Sequence, residues 1–265
     1  MNVSGIIIAV ATVGGVGLLI SIFLSIFGNL FKVEVDEREQ AVLEELPGNN
    51  CGGCGYAGCA NLAEAIAKGE APANACPVGG APVAERIASI MGLDAGAGRK
   101  MVAYVKCAGT CDKAKKDYDY YGVNDCVMAS SVPGQGPKSC DYGCMGLGSC
   151  VRACKFDAIS IVDGIAVIDK DKCTSCGMCT KTCPKKLIEL IPYDAAVVVS
   201  CNSKDKGPVV MKACSTGCIG CGLCAKNCPQ GAITVTDFLA HVDQDKCTGC
   251  GLCQEKCPKK VILNA

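Results

Sequence analysis

Three runs of the chain place four cysteines at the spacing C-x2-C-x2-C-x3-C with a proline after the last: Cys173, Cys176, Cys179, Cys183 with Pro184; Cys218, Cys221, Cys224, Cys228 with Pro229; and Cys247, Cys250, Cys253, Cys257 with Pro258. No other feature restricts the fold as much. Thiols this close cannot pair with one another in a dense disulfide network without strained loops, yet their spacing lets several thiolates converge on one metal centre. The total of 25 cysteines in 265 residues is odd, so a disulfide scheme leaves one over. Aromatic residues make up only 5% and tryptophan is absent, so ordinary apolar packing cannot carry the whole chain and something bound to sulfur must help.

The spacing is that of bacterial ferredoxins, in which three close thiolates hold one 4Fe–4S cluster and the fourth, before the proline, reaches a second. Structural zinc is the alternative, but zinc sites favour two separated C-x2-C pairs. Residues 140–190 overlay 214–264 at a constant offset of 74 positions, Cys173 falling on Cys247, so the chain carries two tandem two-cluster modules. Alternation at 158–161 and 232–235 predicts short strands in the small hairpins that cover such clusters. Reciprocal crossing groups Cys218, Cys221, Cys224 and Cys257 in one set, and Cys247, Cys250, Cys253 and Cys228 in another. The first module departs at its front: Leu147 stands where Cys221 does, and Lys155 replaces the proline. Cys140 is expected to substitute, giving Cys140, Cys144, Cys150 and Cys183, with Cys173, Cys176, Cys179 and Cys154 as the partner set.

Upstream, Cys51, Cys54, Cys59 and Cys76 stand at C-x2-C-x4-C-x16-C among glycines, and a helical pattern over 57–68 offers amide donors to an anionic cluster. This makes a fifth set, with four-thiolate zinc as its alternative. Cys107, Cys111, Cys126, Cys201 and Cys214 remain. MVAYVKC (101–107) and AAVVVSC (195–201) are β-rich runs that end in cysteine; if they run parallel, their thiols and that of Cys126 meet at one sheet edge beside Cys111, enough for a sixth cluster. Cys214 aligns with Cys140 at the same offset and can trade places with another ligand. The alternative for these five is that of small buried hydrophobes.

From Gly5 to Phe31 there is no charged residue, and a helix of that length, about 40 Å, spans the roughly 30 Å hydrocarbon core with some tilt. A cleaved signal peptide fits worse: no Lys or Arg precedes the run, and no small-x-small site follows it. Lys32 and Arg38 just beyond it predict a single-pass anchor with the N-terminus outside and the bulk of the chain in the cytoplasm, where thiols stay reduced. The expected fold class is therefore α+β multidomain. An anchor (1–31) precedes a small helical four-cysteine domain (32–100) and a small α/β element (101–139, completed by 192–213). Two ferredoxin-like modules (140–191 and 214–265) complete the chain.

In this order of parts the chain closely resembles the B subunit of the Rnf complex, a membrane complex that couples electron transfer between ferredoxin and NAD to movement of sodium ions or protons. The resemblance covers essentially the whole chain. It implies a bacterial cytoplasmic membrane location, reduced ferredoxin as electron donor, and as partners the membrane subunits and a separate NAD- and flavin-binding subunit. The residues agree with that division: neither G-x-x-x-x-G-K-[ST] nor a strand-borne G-x-G-x-x-G is found, so no flavin or nicotinamide is expected on this chain and no substrate-converting site. The 26 basic and 26 acidic residues cancel, which gives no pointer to nucleic acid. The only histidine, His241, aligns with Val167 in an expected strand and reads as structural or exposed. Acidic ferredoxin is expected to dock on Lys256, Lys259 and Lys260, or on Lys181, Lys185 and Lys186 of the first module, through salt-screened attraction.

Overall fold

A computed structural model describes residues 3–30, 36–96 and 98–265. Helix α1 runs Val3–Leu30, 28 residues with no acidic or basic residue in its terminal turns. Its side chains are described at 4, 7 and 11–27, where Val13, Leu18, Leu19 and Leu24 are exposed. Among the described residues no helix is long and apolar enough to cross a membrane. Lys32, on which the expected orientation partly rests, lies outside the described residues.

Three helices follow. In α2 (Glu37–Glu45), Asp36 caps the start by accepting from Arg38 N at 2.9 Å, and Glu37 and Glu39 sit in the first turn, where the helix dipole favours them. Helix α3 (Cys59–Ala67) forms inside the segment expected to be helical, and α4 (Gly80–Met91) ends on Gly92 in the left-handed conformation that terminates helices without a Cβ penalty. They bury Val42, Leu46, Leu62, Ile66, Val83 and Ile87 in one core, against which Cys54, Cys59 and Cys76 pack.

The rest of the chain is built twice. The first unit contains β1 (Met101–Val105), α5 (Cys126–Ser130), α6 (Ser149–Ala153), β2 (Ile159–Val162), β3 (Ile165–Ile168), α7 (Met178–Thr182) and β4 (Ile188–Pro192). The second contains β5 (Val197–Val199), α8 (Gly207–Ala213), α9 (Leu223–Lys226), β6 (Ile233–Thr236), β7 (Leu239–Val242), α10 (Leu252–Glu255) and β8 (Ile262–Asn264). Hairpins β2–β3 and β6–β7 are antiparallel and lie where the alternation predicts them. His241 sits exposed on β7.

The separate small α/β element is not what the strands make. The run ending at Cys107 does not pair with the run ending at Cys201: β1 pairs antiparallel with β4, and β5 antiparallel with β8. The registers match, Val105 opposite Ile188 and Val199 opposite Ile262, the latter two partners being equivalent positions of the repeat. Each module thus recruits the strand that precedes it, because a short hairpin-built unit otherwise leaves the outer face of β4 or β8 uncovered. The cores are small and sulfur-rich: Val105, Ile159 and Ile188 pack with Cys144, Cys150 and Cys179 in the first, and Val199, Ile233 and Ile262 with Cys201, Cys218, Cys224 and Cys253 in the second.

Candidate metal centres

The local fold of each comb turns on one glycine. Gly148, Gly177, Gly222 and Gly251, at φ 76, 72, 74 and 76°, stand immediately before α6, α7, α9 and α10, where a left-handed residue reverses the chain. The turn buries the next comb cysteine, Cys150, Cys179, Cys224 and Cys253 respectively.

In the second module Cys218, Cys221, Cys224 and Cys257 line one cavity, the grouping expected from spacing. Burial pushes the Cys224 thiol up to about 11, and the thiols that add to it are Cys218, Cys257 and Cys221. Burial likewise raises Cys253, with Cys247 and Cys250 acting on it, and Cys228 borders the same core. In the first module Cys179 is pushed up to about 12 by burial and then by Cys173, Cys176 and Cys154, its expected companions.

The remaining first-module set differs from expectation. Cys126, Cys144, Cys150 and Cys183 line one cavity, and the thiols acting on Cys150, which burial pushes up to about 12, are Cys144, Cys126 and Cys183. Cys126, and not Cys140, stands with the other three thiols, in the set where Leu147 leaves the repeat without a cysteine. It is held there by α6: its amide donates to Ser149 Oγ at 2.7 Å, and Ser149 Oγ donates to Asp125 at 2.9 Å. Asp125 also caps α5 by accepting from Val127 N and Met128 N, and pairs with Arg152 at 2.9 Å. The backbone and hydroxyl hydrogen bonds and Arg152 together hold the Asp125 carboxyl below the usual range.

Cys140 stands elsewhere, with Cys107, Cys201 and Cys214 around another cavity. Burial pushes its thiol up to about 11, with Cys201, Cys107 and Cys214 acting on it. The four are two equivalent pairs. Cys107 and Cys201 each follow the recruited strand of their module, and Cys140 falls on Cys214 at the repeat offset. Their surroundings repeat too: Cys144 N donates to Cys107 Sγ at 3.4 Å and Cys218 N to Cys201 Sγ at 3.3 Å. The modules meet here, where Ala108 N donates to Ser200 O at 2.9 Å. Cys111, expected beside this edge, is exposed and lines none of the three cysteine cavities.

In the helical unit, burial raises the Cys76 thiol, on which Cys59 and Cys54 act, and its sulfur accepts from Gly79 N at 3.4 Å. The Cys59 amide, at the start of α3, is taken by Asn50 Oδ1 at 2.8 Å, so it is not among the donors free for a bound anion. This unit abuts the first module at one tight point: a Cβ on Gly53 would stand 2.5 Å from the Cys176 carbonyl oxygen.

The donor set suits iron–sulfur clusters. All 25 cysteines are free thiols, which excludes the disulfide alternative for this structure. Backbone amides point at comb sulfurs, as Ala103 N does at Cys173 Sγ and Ala166 N at Cys144 Sγ, both at 3.4 Å; such bonds tune clusters. Among the described residues no three donors converge closely enough to grip a single ion. Two sealed side-chain atoms there lack any hydrogen-bond partner, Thr174 Oγ1 and Lys185 Nζ, and both lie within a comb. An anionic group in the cysteine cavity answers the second of these directly. Lys185 therefore does not present its ammonium to solvent for docking, whereas Lys181, Lys186, Lys256 and Lys260 are exposed and Lys259 is half-buried.

A family model described as "Putative Fe-S cluster" matches residues 46–78, and models described as "4Fe-4S dicluster domain" match 139–187, 217–261 and 172–233. The chain is 47% identical over 244 residues to the B subunit of the Na(+)-translocating ferredoxin:NAD(+) oxidoreductase complex of Acetobacterium woodii, covering 92% of this chain and 73% of that protein. It is 44% identical to the B subunit of the ion-translocating oxidoreductase complex of Methanosarcina acetivorans, with 92% of each chain covered. The chain belongs to the family of Rnf complex B subunits. As a member of this family it carries several 4Fe–4S clusters and is an iron–sulfur electron-transfer subunit of an ion-translocating oxidoreductase. The place of Cys126 beside Cys144, Cys150 and Cys183 was hidden from the comb spacing, although Leu147 marked the gap. The pairing of Cys107 with Cys201 had a signal in the shared ending V-x-C.

Proposed function

We propose that this Rnf component takes electrons from reduced ferredoxin on the cytoplasmic side and delivers them into a ferredoxin:NAD oxidoreductase that moves sodium ions or protons. Bound clusters supply one-electron uptake and release. The chain's own part is to hold six thiol sets in contact, one after another, and that succession is the observation that carries the reading. Cys247, Cys250, Cys253 and Cys228 share α9 and α10 with Cys218, Cys221, Cys224 and Cys257. Cys218 N then meets Cys201 Sγ of the Cys107, Cys140, Cys201 and Cys214 set, and Cys107 Sγ meets Cys144 N of the Cys126, Cys144, Cys150 and Cys183 set. Helices α6 and α7 join the latter to Cys154, Cys173, Cys176 and Cys179, and Gly53 brings up Cys51, Cys54, Cys59 and Cys76. The reading assigns 24 cysteines to ligation and leaves Cys111 out.

The two ends of this succession suit different partners. Cys221 and Cys250 are exposed, with Lys256, Lys259 and Lys260 nearby in sequence, which favours the second module for acidic ferredoxin. The helical unit follows the run from Gly5 to Phe31, whose lack of charge in the sequence supports a single membrane anchor over 1–31. The NAD and flavin chemistry is assigned to a separate partner chain. The test is anaerobic mixing of the dithionite-reduced chain with oxidised ferredoxin: rapid reoxidation followed at the cluster absorbance is expected, and centres that stay reduced would refute the electron-relay reading.

A further inference from the structure

Lys185 follows the comb proline of the first module, and Lys259 occupies the equivalent place in the second. The two environments differ. Lys259 lines the cavity of Cys218, Cys221, Cys224 and Cys257 but keeps an open side, whereas Lys185 lines that of Cys126, Cys144, Cys150 and Cys183 with its Nζ sealed and unpartnered. Gly136, at φ 121°, closes over it: a Cβ there would lie 3.9 Å from Nζ. Burial lowers the Lys185 pKa, and the groups opposing that are Cys140, Asp141, Cys144 and Cys107, drawn from two adjoining thiol sets. Lys138 shows what an ordinary buried ammonium does in this region. It is 3% exposed, and its Nζ donates to Gly109 O at 2.7 Å and Gly164 O at 3.1 Å. Lys185 has no such carbonyls.

We propose that Lys185 is a tuning residue, whose sealed ammonium raises the reduction potential of the centre whose cavity it lines, that of Cys126, Cys144, Cys150 and Cys183. The inference rests on the ligand sets proposed above. Reduction adds negative charge to a cluster, and a nearby cation in a poorly polarisable, water-free setting stabilises the reduced form far more than an exposed lysine does. Lys185 acts through the clusters and touches no substrate. The middle of the succession is thereby made easier to reduce than the same thiols beside a neutral side chain.

The test is an anaerobic redox titration of the purified full chain followed by EPR, with iron measured on the same samples. Lys185→Met and Lys185→Gln are expected to lower the reduced-to-oxidised ratio of that centre about tenfold at a fixed potential, which for one electron is about 59 mV. Lys185→Arg, and Lys186→Met at the exposed neighbour, are expected to titrate as the parent does. Loss of iron from that centre in both neutral variants but not in Lys185→Arg would show the same need for charge during assembly. Fully loaded neutral variants titrating at parental potentials would overturn the inference alone, as would a Lys185→Arg shift as large as that of Lys185→Met. If Cys126→Ser and Cys140→Ser each leave the iron content of the otherwise parental chain unchanged, the ligand reading beneath it fails instead.

Discussion

Replacing Gly53 with alanine should undock the helical unit from the first module without unfolding either. A Cβ at this position would stand 2.5 Å from Cys176 O, 3.0 Å from its Cα and 3.1 Å from its carbonyl carbon. All three are backbone atoms, so no side chain can swing aside. Ordinary contact lies at about 3.5 Å, and the two backbones must part by roughly 1 Å. Forcing a methyl into a closed contact costs about 1–3 kcal/mol, which corresponds to a roughly 5- to 150-fold shift in a docking equilibrium. The core of Val42, Leu62, Ile66 and Ile87 is untouched, so iron content should be parental. The assay is freeze-quench EPR after mixing with reduced ferredoxin: the N-terminal centre should be reduced many-fold more slowly than in the parent or in the exposed Ala60→Ser control, while the module centres fill at the parental rate. Trypsin should also cut the 92–100 connection faster. Parental rates and parental protection together would refute the single-contact argument.

Cys126→Ser should lower the iron content by about four per chain, and adding Leu147→Cys should restore it, because Leu147 holds the place of the ligand Cys221. No recovery in the double variant, with iron measured by colorimetric assay, would show that the repeat equivalence does not extend to ligation. Deleting 1–31 should release the chain to the soluble fraction of cells lacking partner subunits with its clusters intact, since every proposed ligand lies beyond residue 50; continued tight sedimentation with membranes counts against a single anchor. Changing Lys256, Lys259 and Lys260 together to Gln should slow reduction by ferredoxin at low ionic strength and leave reduction by dithionite nearly unchanged. Equal rates across a salt series would move the docking site off this patch.

What the sequence made legible follows from how local each signal is. The combs fix their own geometry within eleven residues, so four sets could be grouped by spacing, and hairpins β2–β3 and β6–β7 announce themselves by alternation. The structure keeps Cys224 with its three expected companions and Cys179 with its own. Strands β1 and β5 were visible as β-rich runs, but their partners lie far along the chain, and nothing in MVAYVKC says that it pairs with Ile188–Pro192 rather than with AAVVVSC. Once the two strands went to different modules, Cys107 and Cys201 came to face each other across the joint and drew Cys140 with them. Cys126, 18 positions ahead of Cys144, reaches its place only through Asp125, Ser149 and Arg152. Lys185 read as a surface lysine because it follows a proline in a charged run; the segment ending at Cys140 covers it, and that cover is tertiary.

The central claim is that the first module draws Cys126 into its altered set and that Cys140 joins Cys107, Cys201 and Cys214 in a sixth centre between the modules. Anomalous diffraction at the iron edge from anaerobically grown crystals tests it most directly. The account predicts six compact iron peaks per chain, about 24 irons in all, one bounded by Cys107, Cys140, Cys201 and Cys214 and another by Cys126, Cys144, Cys150 and Cys183. Five peaks, with Cys140 beside Cys144, Cys150 and Cys183 and no iron between Cys107 and Cys201, would contradict it.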